Sequence, residues 1–372
     1  MSDLNFHPVA SMLGIALLTA VLGATVPSTA YSASADLLDT PASADQRAEH
    51  AVLLAVSRAG KRLVAVGERG IVLLSDDAGL SWRQSRAVPS SVALVALWFA
   101  DERDGWAVGH GGVVLHSNDG GETWDKQLDG KLAAGLELQA AQAPWSADPE
   151  VSRRRLEAAG QLVADGADKP FLSVYFSNPH DGMVVGAYGL AMLTQDAGLH
   201  WRSVGPELGN SSGMHLYSIL GDAHGVIITG EQGTVLRSAA LGQSFTRLPS
   251  PYHGSWFGTV PTGPGQNLVF GLKGNACSVD NEDHWQPMDS GEHSSLTAGT
   301  QLADGSVVVA SEGGRLWRSN DHGRHLQAVT SPDLDGSTIT GVTQAGDGAL
   351  VLSGIKGIRR LELNAPEKES RP

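Results

Sequence analysis

A short motif built around an aspartate recurs along the chain and is the first candidate for chemistry. Its best copy runs from Ser117 through Asp119 and Gly121 to Trp124. Repeated carboxylates could serve catalysis or calcium binding, and both of these need side chains that converge on one point. The copies are instead spread along the whole chain, so we interpret them as turn-stabilising elements whose Ser, Thr and Asp side chains bond to backbone N–H groups. The other copies are Ser75, Asp77, Gly79 and Trp82; Thr194, Asp196, Gly198 and Trp201; a worn copy with Asp280 and Trp285; and a second worn copy with Asp321.

The histidines and the cysteine do not indicate a metal or cofactor site. His322 and His325 are three residues apart but lie in a worn copy of the motif. No group of three or four histidines has the spacing of a metal-ligand set. The chain contains one cysteine, Cys277, which excludes an internal disulfide and a zinc site built on cysteines. We therefore predict no catalytic residue, no bound metal and no cofactor.

A second motif, Gly-x-x-Gly, shows which elements position the aspartates. It recurs seven times, once with Ser311 in place of the first glycine, and the starts are 42, 77, 44, 41, 40 and 43 residues apart, from Gly67 to Gly354. Each copy lies between two short runs rich in Val and Leu, and the aspartate motif follows the second run. Short apolar runs bounded by Gly, Asp and Asn are typical of strands joined by tight turns.

Repeats of four strands and about forty residues predict an all-β fold, a seven-bladed β-propeller. The last repeat has only three predicted strands. We expect the segment around Leu37 to Thr40 to donate the fourth strand, which would join the first blade to the last. The Gly-x-x-Gly turns and the connections between blades are predicted at one end of the propeller, and the aspartate motifs at the opposite end.

The one abnormal spacing marks an insertion from 129 to 169, between the second and third blades. Leu132, Leu136 and Leu138 suggest one helix. Asp148-Pro149 is a typical helix start, and an amphipathic pattern follows it. Because the insertion replaces a connection between blades, we expect the helices to overhang the end that carries the Gly-x-x-Gly turns.

Composition and the first residues bear on location and partners. The net charge of −14 is evidence against a nucleic-acid partner.

Residues 1–35 are predicted to be a secretory signal peptide, ending with the small residues Ala33-Ser34-Ala35. The alternative is an uncleaved membrane anchor, because the apolar run from Val9 to Val26 could just span a bilayer. The propeller is predicted over 36–366, with a charged tail at 367–372, and the protein is expected to be exported, periplasmic and monomeric.

The aspartate motif resembles the Asp-box, or bacterial neuraminidase repeat, of sialidases. That resemblance implies a carbohydrate-active enzyme as the alternative function. A sialidase also needs an arginine triad and a Tyr–Glu nucleophile pair, and the run Arg153, Arg154 and Arg155 could not form a triad spread over several blades. A glycosidase would need paired carboxylates, and the sequence singles out no pair.

A closer resemblance is to the photosystem II stability/assembly factor family of seven-bladed propellers. The stretch from Gly105 to Ser117, with Gly109-His110-Gly111-Gly112 and the following aspartate motif, is the part that carries it, and the segments 62–82 and 181–201 repeat the pattern. The resemblance implies an exported, non-enzymatic protein that binds assembly intermediates of membrane proteins. The helical insertion departs from the family pattern.

Six of the seven Gly-x-x-Gly turns keep both glycines, whereas the two middle positions vary freely, so we predict that the turns present a partner-binding surface. Loops on a rigid scaffold are where binding groups usually lie. We expect the partner to be a protein, such as a membrane protein or an assembly intermediate. The predicted binding residues are Glu68, Arg69, His110, Tyr188, Glu231, Gln232, Lys273, Glu312 and Lys356, together with Trp145 in the insertion.

Overall fold

A computed structural model describes residues 36–143, 146, 148–288 and 290–363. The predicted signal peptide, Trp145 and the predicted tail lie outside these residues. The described chain forms seven antiparallel sheets, six of four strands and one of three. Each sheet follows the chain in simple up-and-down order, so that each blade is one continuous segment of sequence.

The first three blades contain twelve strands, four to each blade. They are β1 (Leu53–Ala59), β2 (Arg62–Gly67), β3 (Val72–Ser75) and β4 (Arg83–Gln84); β5 (Leu94–Phe99), β6 (Gly105–Gly109), β7 (Val114–Ser117) and β8 (Asp125–Leu128); and β9 (Phe171–Phe176), β10 (Gly182–Gly186), β11 (Ala191–Thr194) and β12 (Arg202–Ser203).

Blades 4 to 7 contain the remaining strands. They are β13 (Leu216–Asp222), β14 (Gly225–Gly230), β15 (Val235–Ser238) and β16 (Thr246–Arg247); β17 (Trp256–Gly263), β18 (Gln266–Gly271), β19 (Ala276–Val279) and β20 (Trp285–Met288); β21 (Leu296–Gln301), β22 (Val307–Ser311), β23 (Leu316–Ser319) and β24 (Gln327–Val329); and β25 (Ile339–Gln344), β26 (Leu350–Gly354) and β27 (Gly357–Leu361).

The blades close into a ring through their first strands. Each first strand contacts the first strand of the next blade, and β1 contacts β25, so the series returns to its start. Seven clusters of buried apolar side chains fill the interfaces between adjacent blades, one cluster to each interface. The predicted seven-bladed propeller is confirmed. Because the core is divided among the interfaces, the blades stabilise one another by burying apolar area.

The predicted fourth strand for the last blade is wrong. Residues 37–40 form turns, and the backbone oxygen of Leu37 accepts a hydrogen bond from Ser91 N at 2.9 Å, beside blade 2. Leu38 is buried in the cluster between blades 1 and 2. Among the described residues, blade 7 therefore has three strands, and the ring closes by packing against blade 1 without exchange of a strand.

Residues 36–50, which we call the strap, connect three blades instead. Beyond Leu38, the Ala42 N–H bonds to Val88 O at 3.0 Å, and Asp45 pairs with Arg69 of blade 1 at 3.0 Å. Ala48 then enters the apolar cluster between blades 7 and 1. The strap thus runs from blade 2 across blade 1 to blade 7, and it joins the same two blades as the expected strand without β pairing.

The insertion between blades 2 and 3 is helical, as predicted. Helix α1 spans Gly130–Ala141 and helix α2 spans Pro149–Asp165, with Asp148 accepting a hydrogen bond from Glu150 N as the N-cap of α2. A third, one-turn helix, α3 (Gly205–Leu208), lies in the connection from blade 3 to blade 4. In the described part of the chain, no helix has both the length and the apolar character needed to cross a membrane.

Candidate binding face and its groove

The aspartate motifs form a repeated hydrogen-bond network at the turn between the third and fourth strands. In blade 2, Asp119 Oδ1 accepts from Thr123 N at 2.9 Å and from Ser117 Oγ at 2.9 Å, while its Oδ2 accepts from Thr123 Oγ1 at 2.7 Å. Gly121 N donates to Ser117 Oγ at 2.8 Å. The same bonds recur around Asp77, Asp196 and Asp321. These carboxylates therefore form hydrogen bonds within their own turns, which they stabilise.

The worn copies have histidine where the copies of blades 1 and 2 have Ser or Thr, but their aspartate still accepts the backbone N–H four residues later. Asp280 Oδ1 accepts from His284 N at 3.0 Å, and Trp285 is half-buried. His200, His284 and His325 occupy the Ser or Thr position and place Nδ1 within 3.1 Å of the motif aspartate. Within the described residues, no three His, Cys, Asp or Glu side chains gather closely enough to hold a metal ion.

Hydrogen bonds to these carboxylates predict acid sensitivity. The Ser81 hydroxyl and N–H lower the pKa of Asp77 from 3.8 to about 2, and bonds from the His200 backbone and ring lower the pKa of Asp196 from 3.8 to about 2. A pKa lowered by folding adds stability above the unfolded-state value, and this stability is lost as the pH falls through the folded value. We expect the urea midpoint to fall between about pH 4 and pH 2.

The double variant Asp77→Asn, Asp196→Asn tests this origin. We expect it to unfold at lower urea than the wild type at neutral pH, and to show a shallower loss of stability below about pH 4. Asp125→Asn, at an exposed position of β8 outside the motif, is the control and should keep the wild-type pH profile. An unchanged acid slope in the double variant would assign the effect to other groups.

The Gly-x-x-Gly turns lie at the opposite end of the blades, between the second and third strands, and we call this end the Gly-turn face. The first glycine has extended backbone (φ −167° at Gly67), which any residue can adopt. Glycine is therefore needed here because a side chain would clash with a neighbouring carbonyl. A Cβ on Gly67 would lie 2.2 Å from Val52 O, and one on Gly109 would lie 2.1 Å from Ala93 O. The residue after this glycine donates its N–H to the same carbonyl, which holds the turn against the start of the first strand.

The second middle position has left-handed backbone and points outward. Arg69, Tyr188, Gln232 and Lys273 have φ values of 54°, 57°, 49° and 57°. Non-glycine residues rarely adopt this conformation, and it costs free energy. Tyr188 is the most unusual of them because a large aromatic ring, 57% exposed, occupies the strained position.

Five residues of the predicted binding surface, three of them glutamates, have contacts within the protein. Glu68, Glu231 and Glu312 occupy the same position of blades 1, 4 and 6, and each carboxylate accepts the backbone N–H at the start of its own blade, from Val52 at 3.3 Å, His215 at 2.9 Å and Ser295 at 2.9 Å. A carboxylate that satisfies a backbone donor is less available to a ligand. Arg69 pairs with Asp45, and Lys356 pairs with Asp335 at 3.0 Å. His110 is exposed on blade 2.

Tyr188 lies at the edge of a groove with a volume of about 630 Å³. One wall is helix α2, and the other walls are the turn of blade 3 and the connection 205–213 to blade 4. Among the residues that line the groove, Tyr188 alone was predicted to bind a partner. Other residues that line it include Ala158, Leu162, Lys169, Leu190, Asn210 and Gly213.

The charges beside the groove are paired with one another. At its base, Arg155 Nε lies 2.9 Å from Glu137 Oε1, and both side chains are largely buried. Lys169 Nζ lies 3.1 Å from Asp165, and also 5.0 Å from the centre of the Tyr188 ring. Arg154 Nε lies 3.0 Å from Glu150 Oε1. A cation over an aromatic ring helps to fix both side chains.

An aromatic row continues from the groove across the Gly-turn face. Ring centres are 4.9 Å apart between Tyr188 and His215, 6.3 Å between His215 and Tyr217, and 5.2 Å between Tyr217 and Phe257. Tyr217 and Phe257 lie near the beginnings of β13 and β17, which are first strands of their blades. The row therefore leads from the groove to the inner strands of blades 4 and 5.

Comparison with known proteins supports the resemblance seen in the sequence. The model of the family described as photosynthesis system II assembly factor YCF48 matches residues 48–148, which cover the first two blades and part of the insertion. Together with the seven-bladed fold, this match confirms the resemblance to photosystem II assembly factor-like propellers. No curated protein matches the sequence.

Solved structures with the same fold include two of that family. The structure "YCF48 bound to D1 peptide" is 16% identical, with a TM-score of 0.60, over 85% of this chain and 95% of that chain. YCF48 from Cyanidioschyzon merolae is 17% identical, with a TM-score of 0.58, over 84% of this chain and 96% of that chain. A streptogramin B lyase is 14% identical, with a TM-score of 0.62, over 85% of this chain and 95% of that chain. At these identities the likeness shows the fold alone.

Proposed function

We propose that this protein is an exported, non-catalytic scaffold that binds a partner protein on its Gly-turn face and acts in the assembly of a membrane protein complex. The observation that carries the proposal is the groove of about 630 Å³ beside Tyr188, on a face built from turns that a rigid ring holds in place. Binding sites are usually concave, largely formed in advance and few in each protein.

The family resemblance supports a polypeptide partner. The family model for a photosystem II assembly factor matches part of this chain, and a structure with the same fold is described as bound to a D1 peptide. By analogy, the partner of this chain is a segment of a membrane protein or of an assembly intermediate. Fold likeness alone does not transfer a function, so the proposal depends on the groove of this chain.

The distribution of carboxylates favours a scaffold over a glycosidase. The first strands, which form the inner ring, contain a single carboxylate, Asp222 at the end of β13. A retaining or inverting glycosidase needs two carboxyl groups about 5–10 Å apart around the scissile bond. In the described part of the chain, the aspartates of the motifs are committed to turns at the other end of the blades.

Affinity capture from the membrane fraction of the source cells tests the proposal. The purified protein is the bait, and an unrelated propeller of similar charge is the control bait. We expect a membrane protein or an assembly intermediate to be retained by this bait and not by the control. Recovery of soluble sugars only, or of no specific partner, would contradict the assembly role. N-terminal sequencing of the exported protein tests the predicted processing near Asp36.

A further inference from the structure

We propose that the groove beside α2, together with the aromatic row, binds an extended segment of a partner polypeptide through uncharged aliphatic or aromatic side chains. The inference rests on the proposed function and names the site and the chemistry of its ligand. It concerns a groove formed by the helical insertion, where this chain departs from the pattern of its family.

The groove presents an apolar surface between α2 and blade 3. Ala158 and Leu162 lie on the same face of α2, one turn apart, and face Leu190 and Tyr188 of blade 3 across the groove. Ala158 is exposed although it lies among these apolar neighbours. A concave surface of this kind is stabilised when an apolar side chain displaces water from it.

The pairing of charges argues for an uncharged ligand. Arg155 already bonds to Glu137, whose Oε2 also accepts the Ser203 hydroxyl, and Lys169 is held by Asp165 and Asp168. A charged ligand that paired with Arg155 or Glu137 would have to break their bond and would leave the other, largely buried, group without its counter-ion. Removing one member of a desolvated pair is costly, whereas an uncharged side chain leaves the pairs intact.

The aromatic row gives the ligand a direction and a length. From Tyr188 through His215 and Tyr217 to Phe257, neighbouring ring centres are 4.9, 6.3 and 5.2 Å apart. These steps sum to about 16 Å, which about five residues of extended chain would span. The rings are tilted or edge-on to one another and form a continuous row of aromatic side chains. Sites that recognise extended peptides use such aromatic-lined grooves.

Polar groups at the other side of the groove suit a peptide backbone. Asn210 is fixed by two bonds to Met214, with its Nδ2 donating to Met214 O and its Oδ1 accepting from Met214 N. This arrangement holds the loop of Ser211, Ser212 and Gly213 along the rim. Loop amides and hydroxyls can bond to the N–H and C=O groups of an extended ligand, which a peptide presents at every residue.

Selection from a displayed library of random peptides of about 12 residues tests this site, with wild-type protein as the target. The test variant is Ala158→Trp, which fills the groove, and its control is Ala164→Trp, at an exposed position of α2 outside the groove. We expect enriched peptides rich in aromatic and aliphatic residues. Their affinity should fall at least ~10-fold in Ala158→Trp, remain unchanged in Ala164→Trp and vary little with salt.

A second pair of variants separates the aromatic contact from folding. Tyr188→Gly and Lys273→Gly make the same change at equivalent turns, where both residues have φ of 57°. Glycine adopts this backbone without strain, which offsets the loss of side-chain contacts, so both variants should remain folded. We expect Tyr188→Gly to weaken binding of the selected peptides by roughly 10-fold, and Lys273→Gly to leave it unchanged.

The outcomes distinguish this inference from the proposed function. Partner capture that survives Ala158→Trp would refute the groove while the scaffold role stands. Enrichment of acidic peptides with salt-dependent binding, or of no peptide that distinguishes the wild type from Ala158→Trp, would overturn the inference. Binding of defined oligosaccharides that is lost in Ala158→Trp, without peptide enrichment, would replace the peptide with a carbohydrate and contradict both proposals.

Discussion

Removal of residues 131–168 is expected to abolish partner binding and to leave a folded propeller. The two ends of the insertion meet over the turn of blade 2, where a Cβ on Gly130 would lie 2.8 Å from the Cα of Ala167 and 2.8 Å from Gly111 O. A short glycine linker can therefore join them without moving blades 2 and 3. The deletion removes the α2 wall of the groove, so the ligand loses the apolar contacts with Ala158 and Leu162.

The deletion has a stability effect of its own. Ala133 of α1 is fully buried in the cluster between blades 2 and 3, and Leu136 packs against the same cluster. Their loss exposes part of that interface, and we expect a lower melting temperature together with the far-ultraviolet circular dichroism of a propeller. Capture of the partner and binding of selected peptides are the functional measurements. A deletion variant that fails to fold would make the insertion structural, and one that binds normally would contradict the location of the site.

Trp124→Ala is expected to destabilise the protein by about 3–5 kcal/mol, the usual cost of removing a fully buried large aromatic side chain. Trp124 is 3% exposed in the cluster between blades 1 and 2, and it meets Phe99 edge-on with ring centres 6.2 Å apart. Its indole N–H also donates to Gly121 O at 3.0 Å, inside its own turn. The substitution therefore leaves a cavity between blades and removes a bond within the turn.

Trp285→Ala is the matched control because it occupies the same motif position in blade 5 and is only half-buried. We expect it to cost clearly less than Trp124→Ala. Urea unfolding followed by circular dichroism at neutral pH measures both variants. Equal losses would show that burial between blades does not determine the contribution of the motif tryptophan.

Much of the fold could be predicted from the sequence because its causes are local. The first glycine of each Gly-x-x-Gly turn is needed where the turn crosses the start of the first strand, as at Gly67 and Gly109. The same steric demand recurs in six of the seven blades, each time at a similar distance along the chain from the start of the first strand. Ser311, which replaces this glycine in blade 6, shows that one copy can depart from the pattern within the same architecture.

The roles of the residues on the Gly-turn face depend on contacts that the motif does not contain. Glu68 and Glu231 were predicted to bind because they lie in the variable middle of their turns, but each carboxylate accepts a bond from a backbone N–H about sixteen residues earlier. The groove depends on where α2 lies over blade 3, which the amphipathic pattern alone does not determine. For this reason only Tyr188 among the groove residues was predicted.

The expected strand at Leu37 to Thr40 failed for a specific physical reason. The requirement to join blade 7 to blade 1 was correctly inferred, but it can be met without β pairing. In the structure, the Thr340 hydroxyl donates to Leu53 O at 2.7 Å and Arg360 Nε donates to Ala78 O at 3.1 Å across this interface. Val351 and Leu63 fill its centre.

The ring closes by packing and by the strap, so no shared strand among the described residues ties the first blade to the last. A propeller closed by a shared strand needs its two chain ends at one blade, because that blade is built from both of them. Here each blade is one continuous segment of the described chain. Ala48 packs into the interface between blades 7 and 1, and Leu38 packs into the interface between blades 1 and 2. The architecture is therefore compatible with the addition, loss or circular permutation of whole blades, since no blade in the described part of the chain is divided between its two ends.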